Sequence, residues 1–309
     1  MSIFKKAAMM TDIHLGEKSN SKQHNEDCLN FTKWFVNQAK EKNAETCIFL
    51  GDYHHHRSTI NVLTLNYSHR VLKLLNDNFE KVYFIIGNHD LFYRDKREVH
   101  SLVSASELNN FVLIHEPLHL KDVSFVPWLV DDEWKKLSNL KSKYIFGHFE
   151  LPGFKMNAHV EMPDHGQLNY SHFANQEYVF SGHFHKRQTN GNVHYIGNPF
   201  GHNFSDAWDF NRGCCFLEWD SVPEYVNWED GPKYITTTVS QMAENPETVL
   251  LKNAYVKAII DVNMSYEEVS YIREELTKQF PIRELKLVPN KNVDEENDSD
   301  LDVTFESVD

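Results

Sequence analysis

The chain has 309 residues, 41% hydrophobic and 13% aromatic, enough for a sizeable core and a second small domain. Its formal net charge is −14, and residues 290–309 carry one Lys against eight Asp and Glu, so the body lacks the basic surplus of a free-standing DNA-binding module. Four cysteines at 28, 47, 214 and 215 show no Cys-x-x-Cys spacing and no apolar run suits a membrane span or signal peptide, so the sequence predicts reduced, buried thiols and a cytoplasmic setting in a bacterial cell.

Ala7 to Met10 reads as a buried strand running into Thr11-Asp12-Ile13-His14. Asn25 to Lys42 reads as a helix with Phe31, Trp34, Phe35 and Ala39 on one face. A second strand, Cys47 to Leu50, precedes Gly51-Asp52, and a second helix, Thr59 to Phe79, places Ile60, Leu63, Tyr67, Val71 and Leu74 inward. That helix carries a further row, Leu65, Leu72 and Phe79, which is either a subunit contact or a widened buried face. Val82 to Ile86 leads to Gly87-Asn88-His89-Asp90, Tyr144 to Phe146 to Gly147-His148, and Tyr178 to Phe180 to Gly182-His183-Phe184-His185. Short strands are expected between Trp208 and Trp228, with a boundary at Gly231-Pro232. Beyond it come a strand over Ala254 to Val262, a helix over Ser265 to Phe280 that opens with the Ser265…Glu268 capping box, and a strand over Arg283 to Val288. The acidic stretch from Asn292 to Asp302 reads as disordered. The predicted organisation is a main domain over 1–230, a cap over 231–289 and a tail over 290–309.

Five islands at the ends of apolar runs thus supply Asp, Asn and His. Strands buried on both faces look like those runs, and in layered α/β folds ligands gather beyond the carboxyl ends of the strands. Carboxylate, amide and imidazole donors without thiolate suit manganese, iron, magnesium or zinc, and two such ions about 3.5–4 Å apart clamp the attacking and leaving oxygens of a phosphate displacement. Phosphate-ester hydrolysis is the chemistry this pattern predicts. If the chain stays extended, the pairs Asp12/His14 and His183/His185 each project to one side. His54 and His56 should point away from His55. Adventitious metal binding by the His run is the rival reading for these two, and the remaining histidines read as surface or structural.

Asp-x-His, Gly-Asp-x-x-His, Gly-Asn-His-Asp, Gly-His and Gly-His-x-His occur here in that order, and the set resembles the calcineurin-like metallophosphoesterases. His55, three residues after Asp52, and Tyr195-Ile196-Gly197-Asn198-Pro199 make the chain similar to the SbcD-like nuclease subunits of DNA double-strand-break repair. Gly147 to Phe154 is similar to the tailed-phage recombination endonuclease subunits, so a phage origin is in view. The resemblance implies a layered α/β/β/α sandwich with a small α+β cap. It implies a first metal held by Asp12, His14, Asp52 and His185 and a second by Asp52, Asn88, His148 and His183, with Asp52 as the bridge and a metal-activated hydroxide as nucleophile. His89 matches the family's catalytic histidine and His55 a second histidine near the phosphate, while Asp90 is expected to orient the His89 ring. The implied cofactor is two divalent ions, manganese first, with magnesium or iron as alternatives. The implied activity is a 3′ to 5′ exonuclease and endonuclease acting on DNA as a homodimer with an SMC-like ATPase. The rivals are a small-molecule phosphodiesterase or phosphatase of the same fold and a non-catalytic scaffold. Arg94-Asp95-Lys96-Arg97 and the lysines at 135, 136, 141 and 143 read as solvated charge rather than a DNA-binding face, so a partner is expected to supply much of the grip.

Overall fold

The computed structural model describes residues 2–156 and 160–290, so the expected acidic disorder from Asn292 onward lies outside the described residues. Strands β1 (Lys6–Met10), β2 (Thr46–Phe49), β3 (Lys81–Ile85) and β4 (Phe111–Ile114) run parallel in the first sheet. The chain then builds a second sheet from β5 (Leu118–Leu120), β6 (Val123–Val126), β7 (Tyr144–His148), β8 (Tyr178–Gly182), β9 (Gln188–Asn190) and β10 (Val193–Tyr195). It returns through β11 (Gly213–Glu218) and β12 (Glu224–Asn227), which add antiparallel to the β1 edge. The orders are β12-β11-β1-β2-β3-β4 and β5-β6-β7-β8-β10-β9.

Alternation along the strands separates two cores. Ala7 and Met9 of β1 face inward with Ile48, Ile85, Phe125, Phe146 and Phe180 between the sheets. Ala8 and Met10 face outward with Phe49, Phe84 and Phe216 against the helices. Helix α1 (Lys22–Glu41) starts where the Ser21 side chain accepts from the His24 amide, and buries Cys28, Phe31, Phe35 and Ala39 at helical spacing. Asn43, in the left-handed region at φ 55°, ends it, and the Ala44 amide returns to the Ala39 carbonyl. Helix α2 (Val62–Asn78) is capped by Asn61 and buries Tyr67, Val71, Leu72 and Leu75. Leu72 and Phe79 enter this chain's own core while Leu65 stays exposed, so the spacing-seven row is not one exposed seam. The outer face of the second sheet is covered by 3-10 turns at Glu133–Asn139 and Tyr170–Phe173 and by loops packed on Phe149, Leu151 and Phe154, a thinner layer than the helices opposite.

The main unit comprises residues up to Phe200 and Asn211–Glu229, and a second unit joins Gly201–Phe210 to the chain from Asp230. Residues 201–210, expected in the first domain, group with the second because the Trp208 amide and indole N–H donate to the Tyr234 and Thr236 carbonyls. In this unit β13 (Lys233–Thr238), β14 (Ala254–Ile260) and β15 (Glu284–Pro289) form a parallel sheet. Helix α3 (Val239–Glu244) follows β13, and α4 (Tyr266–Gln279) bridges β14 and β15 with the expected capping box in place. Its core contains Ile235, Val239, Val256 and Leu285. All four cysteines are free and buried, and no helix among the described residues is long and apolar enough to cross a membrane.

Candidate metal centre

The five islands sit at or just past the carboxyl ends of β1, β2, β3, β7 and β8, and the loops are stitched together by backbone bonds. The Asp12 amide donates to the Gly51 carbonyl (3.0 Å), Leu15 to Tyr53 (2.8 Å) and His55 to Leu15 (2.9 Å). Across the two sheets the His183 amide donates to both Asp12 carboxylate oxygens, at 3.1 and 3.2 Å.

The chain does not stay extended at these residues. Asp12 (φ 50°), His14 (φ 44°), Asp52 (φ 59°) and His183 (φ 88°) all lie in the left-handed region. The i, i+2 pairs therefore do not converge by strand alternation, as the sequence predicted; tight turns aim them. Such backbone costs about 1–3 kcal/mol per residue and persists where surrounding structure fixes it. Much of that fixing comes from Asp90. Its Oδ2 accepts from the Asp52 and Gly87 amides (both 3.0 Å) and its Oδ1 from the Tyr53 (3.0 Å) and His54 (3.1 Å) amides. The carboxylate expected to orient His89 serves the backbone instead, and the His89 ring meets the main-chain oxygen of His55 through Nδ1 at 2.8 Å.

Two donor sets result. Asp12, His14 and His185 form one, with His14 Nε2 3.1 Å from His185 Nε2 and 3.6 Å from Asp52 Oδ2. Asp52, His148 and His183 form the other, with His148 Nε2 3.4 Å from Asp52 Oδ1. Asn88 Oδ1 joins it at 2.9 Å from His148 Nε2 and 3.0 Å from His183 Nδ1. Asp52 thus turns one oxygen to each set. Donors about 2.1 Å from a shared ion stand roughly 3.0–3.5 Å apart, close to this spacing.

Imidazole, amide and carboxylate groups converge. The Leu50 carbonyl, only an acceptor, lies 2.7 Å from His148 Nδ1, so that nitrogen carries a proton, and Nε2 of the same ring lies 2.9 Å from Asn88 Oδ1. Burial pushes the Asp12 carboxyl up to about 7, although the His148 imidazole opposes it. Burial also works against ionising Asp52 and His148, yet their mutual attraction prevails, holding Asp52 well below the carboxylate range and His148 up at about 9. Buried carboxylates that raise the proton affinity of a neighbouring imidazole draw positive charge to the site, and divalent cations would supply it, so the residues present fit the two ions the sequence pattern implies.

His55 and His89 gather beside His14, with the His55 and His89 rings stacked at 5.6 Å. His54 turns away, as expected: its Nδ1 meets Ser101 Oγ at 2.8 Å and its Nε2 meets Ser68 Oγ at 2.9 Å, a structural pairing rather than an adventitious ligand. Sequence reasoning missed three supports. Thr11 Oγ1 donates to Asp12 Oδ2 (2.5 Å), the His24 ring meets the His14 carbonyl through Nε2 (2.9 Å), and Glu150 Oε1 lies 3.4 Å from His183 Nε2. Thr11 and His24 carry no motif of their own, and Glu150 lies in the Gly147 to Phe154 stretch without any signal that marks its role; only the proximity of Thr11 and Glu150 to the islands was visible.

Residues 5–187 match the family described as calcineurin-like phosphoesterase. The chain belongs to that family. This phosphoesterase is 28% identical over 200 residues to exonuclease subunit 1 of Enterobacteria phage T4, covering 61% of this chain and 58% of that protein. It is 31% identical over 136 residues to the DNA double-strand break repair protein Mre11 of Archaeoglobus fulgidus, covering 41% of this chain and 30% of that protein. The chain therefore spans less than two thirds of either relative. Among solved structures it is similar to a dimetal phosphatase from Danio rerio (13% identity, 68% of this chain and 91% of that one, TM-score 0.43). It is also similar to the nuclease MPE of Pseudomonas putida (20% identity, 61% and 66%, TM-score 0.33).

Proposed function

We propose that this phosphoesterase is a divalent-metal-dependent DNA nuclease subunit that hydrolyses phosphodiester bonds and works with an SMC-like ATPase. The observation that carries the reading is the pair of donor sets sharing Asp52 with His89 and His55 at their edge. The first set, Asp12, His14, Asp52 and His185, and the second, Asp52, Asn88, His148 and His183, would each hold one ion; the donor mixture suits manganese, iron, magnesium or zinc, and the resemblance to the nuclease subunits puts manganese first. When bound, the ions supply Lewis acidity that polarises the phosphate and lowers the pKa of a nearby water.

The chain's own groups do the rest. Asp52 balances both positive sites, and Asp90 keeps its loop in place through four amides. The His55 carbonyl fixes the proton of His89 on Nδ1, which makes Nε2 the nitrogen that exchanges a proton with the departing sugar oxygen. His55, stacked beside it, contacts the same phosphate. The two nuclease relatives support DNA as the substrate. The acidic body supports a partner that supplies positive charge, because phosphate neutralisation provides most nonspecific affinity for duplex DNA. Val62, Leu63 and Leu65 on the exposed start of α2 are compatible with a homodimer.

The test is purified chain on end-labelled linear duplex with manganese or magnesium, with and without chelator and ATPase partner. Metal-dependent shortening supports the reading. Hydrolysis of a small phosphodiester with no attack on DNA under any condition points to the small-molecule alternative.

A further inference from the structure

Glu150 lies two residues past His148, and its carboxylate Oε1 stands 3.4 Å from Nε2 of His183. On the opposite side of the same ring, Nδ1 faces Asn88 Oδ1 at 3.0 Å. The ring is flanked by apolar surfaces, Trp128 at 5.1 Å and Phe184 at 5.0 Å between centroids. Those flanks hold its plane but do not distinguish one ring orientation from its flip, nor one tautomer from the other. Only a polar partner does that.

The placement of Glu150 is built rather than incidental. The fully buried Tyr195 hydroxyl accepts from the Leu151 amide (3.2 Å) and donates to the Phe149 carbonyl (2.9 Å), and the Phe149 amide donates to Ser181 Oγ (2.9 Å). Backbone on both sides of Glu150 is therefore clamped to β8, which leads into the His183 loop, and to β10 beside it in the second sheet. Its side chain is 39% exposed, so solvent alone would satisfy it, yet it reaches the ring.

Resting on the two-ion reading above, we propose that Glu150 is the positioning residue of His183: its carboxylate accepts the hydrogen bond from Nε2–H, leaving the Nδ1 lone pair aimed at the second ion beside Asn88. A carboxylate on the far nitrogen of a ligating imidazole fixes tautomer and orientation and raises ligand basicity, and its loss costs about 10–100-fold in metal affinity. The first set does not touch Glu150 and keeps its affinity.

The experiment is calorimetric titration of metal-stripped protein with manganese alone, on wild type, Glu150→Ala and Glu150→Gln, with the melting temperature of each stripped protein recorded. Wild type takes up two ions. Glu150→Ala weakens one of them by about 10–100-fold and leaves the other within twofold. Glu150→Gln, which still accepts through Oε1, falls between, and the three stripped proteins melt together. Equal affinities in wild type and Glu150→Ala would overturn the assignment while leaving the two-ion site standing. A fall in both affinities with a lower melting temperature would mark a structural role and also overturn it. Failure of wild type to bind any ion would overturn the metal site itself, and this inference with it.

Discussion

The backbone amide of Asp52 donates to Oδ2 of Asp90 at 3.0 Å, so a carboxylate that faces no substrate sets the conformation of the one proposed to bridge both ions. Asp90 is fully buried and satisfies four amides at once. In Asp90→Asn one acceptor oxygen becomes a donor facing amides. The variant is expected to lose roughly 3 kcal/mol or more of stability and most of its metal affinity. Urea denaturation and manganese titration check this, and a variant as stable as wild type would show that the loop holds itself.

Gly87 tests the close approach of backbone to the same carboxylate. Its φ is ordinary, but a Cβ there would land on the Asp52 carboxylate and amide. Gly87→Ala should fold and yet lose at least about 100-fold in activity, because the reacting groups shift by a fraction of an ångström or more. Phosphodiesterase assays with circular dichroism decide it.

The five islands proposed to hold the ions could be located from the sequence because Asp, Asn and His recur at the ends of apolar runs, and each strand lies within a residue or two of where its run placed it. The turns at Asp12, His14, Asp52 and His183 could not, since left-handed backbone at a non-glycine residue leaves no periodic trace. For the same reason the partner of Asp90 was misjudged: adjacency to His89 suggested its ring, whereas the loop conformation brings four amides to the carboxylate. Strand β13 was passed over because Lys233-Tyr234-Ile235-Thr236-Thr237-Thr238 lacks a long apolar run, and its pairing with β14 is a long-range fact.

His194 offers a pH test away from the metal centre. It is buried in β10 against Phe180 and Tyr225, and burial lowers its pKa to about 4 from an unfolded value of 6.5. The unfolded chain therefore binds this proton first as pH falls, so stability tied to His194 is intact above 6.5 and is lost between 6.5 and 4. Relative to His194→Phe, wild type should lose about 2 kcal/mol more between pH 7 and pH 4. Parallel denaturation midpoints across that range would exclude the effect.

Charge gives a fourth expectation. With a net charge of −14, the lone chain should bind duplex DNA weakly and with a shallow salt dependence, near −0.9 in log–log slope per phosphate contacted. Titrations in calcium across a salt series measure it. A slope appropriate to about six or more phosphates, with nanomolar affinity, would refute the partner-supplied grip and direct attention to Arg94, Lys96 and Arg97.

In the proposed two-ion site, built by five loops, His89 acts on the phosphate without holding a metal. Metal content and turnover of His89→Ala, measured on the same preparation beside wild type, test it most directly. Two ions per chain are expected in both proteins, with a fall in hydrolysis of about 100-fold or more in the variant. Wild-type turnover in His89→Ala, or loss of both ions with the side chain, would contradict it.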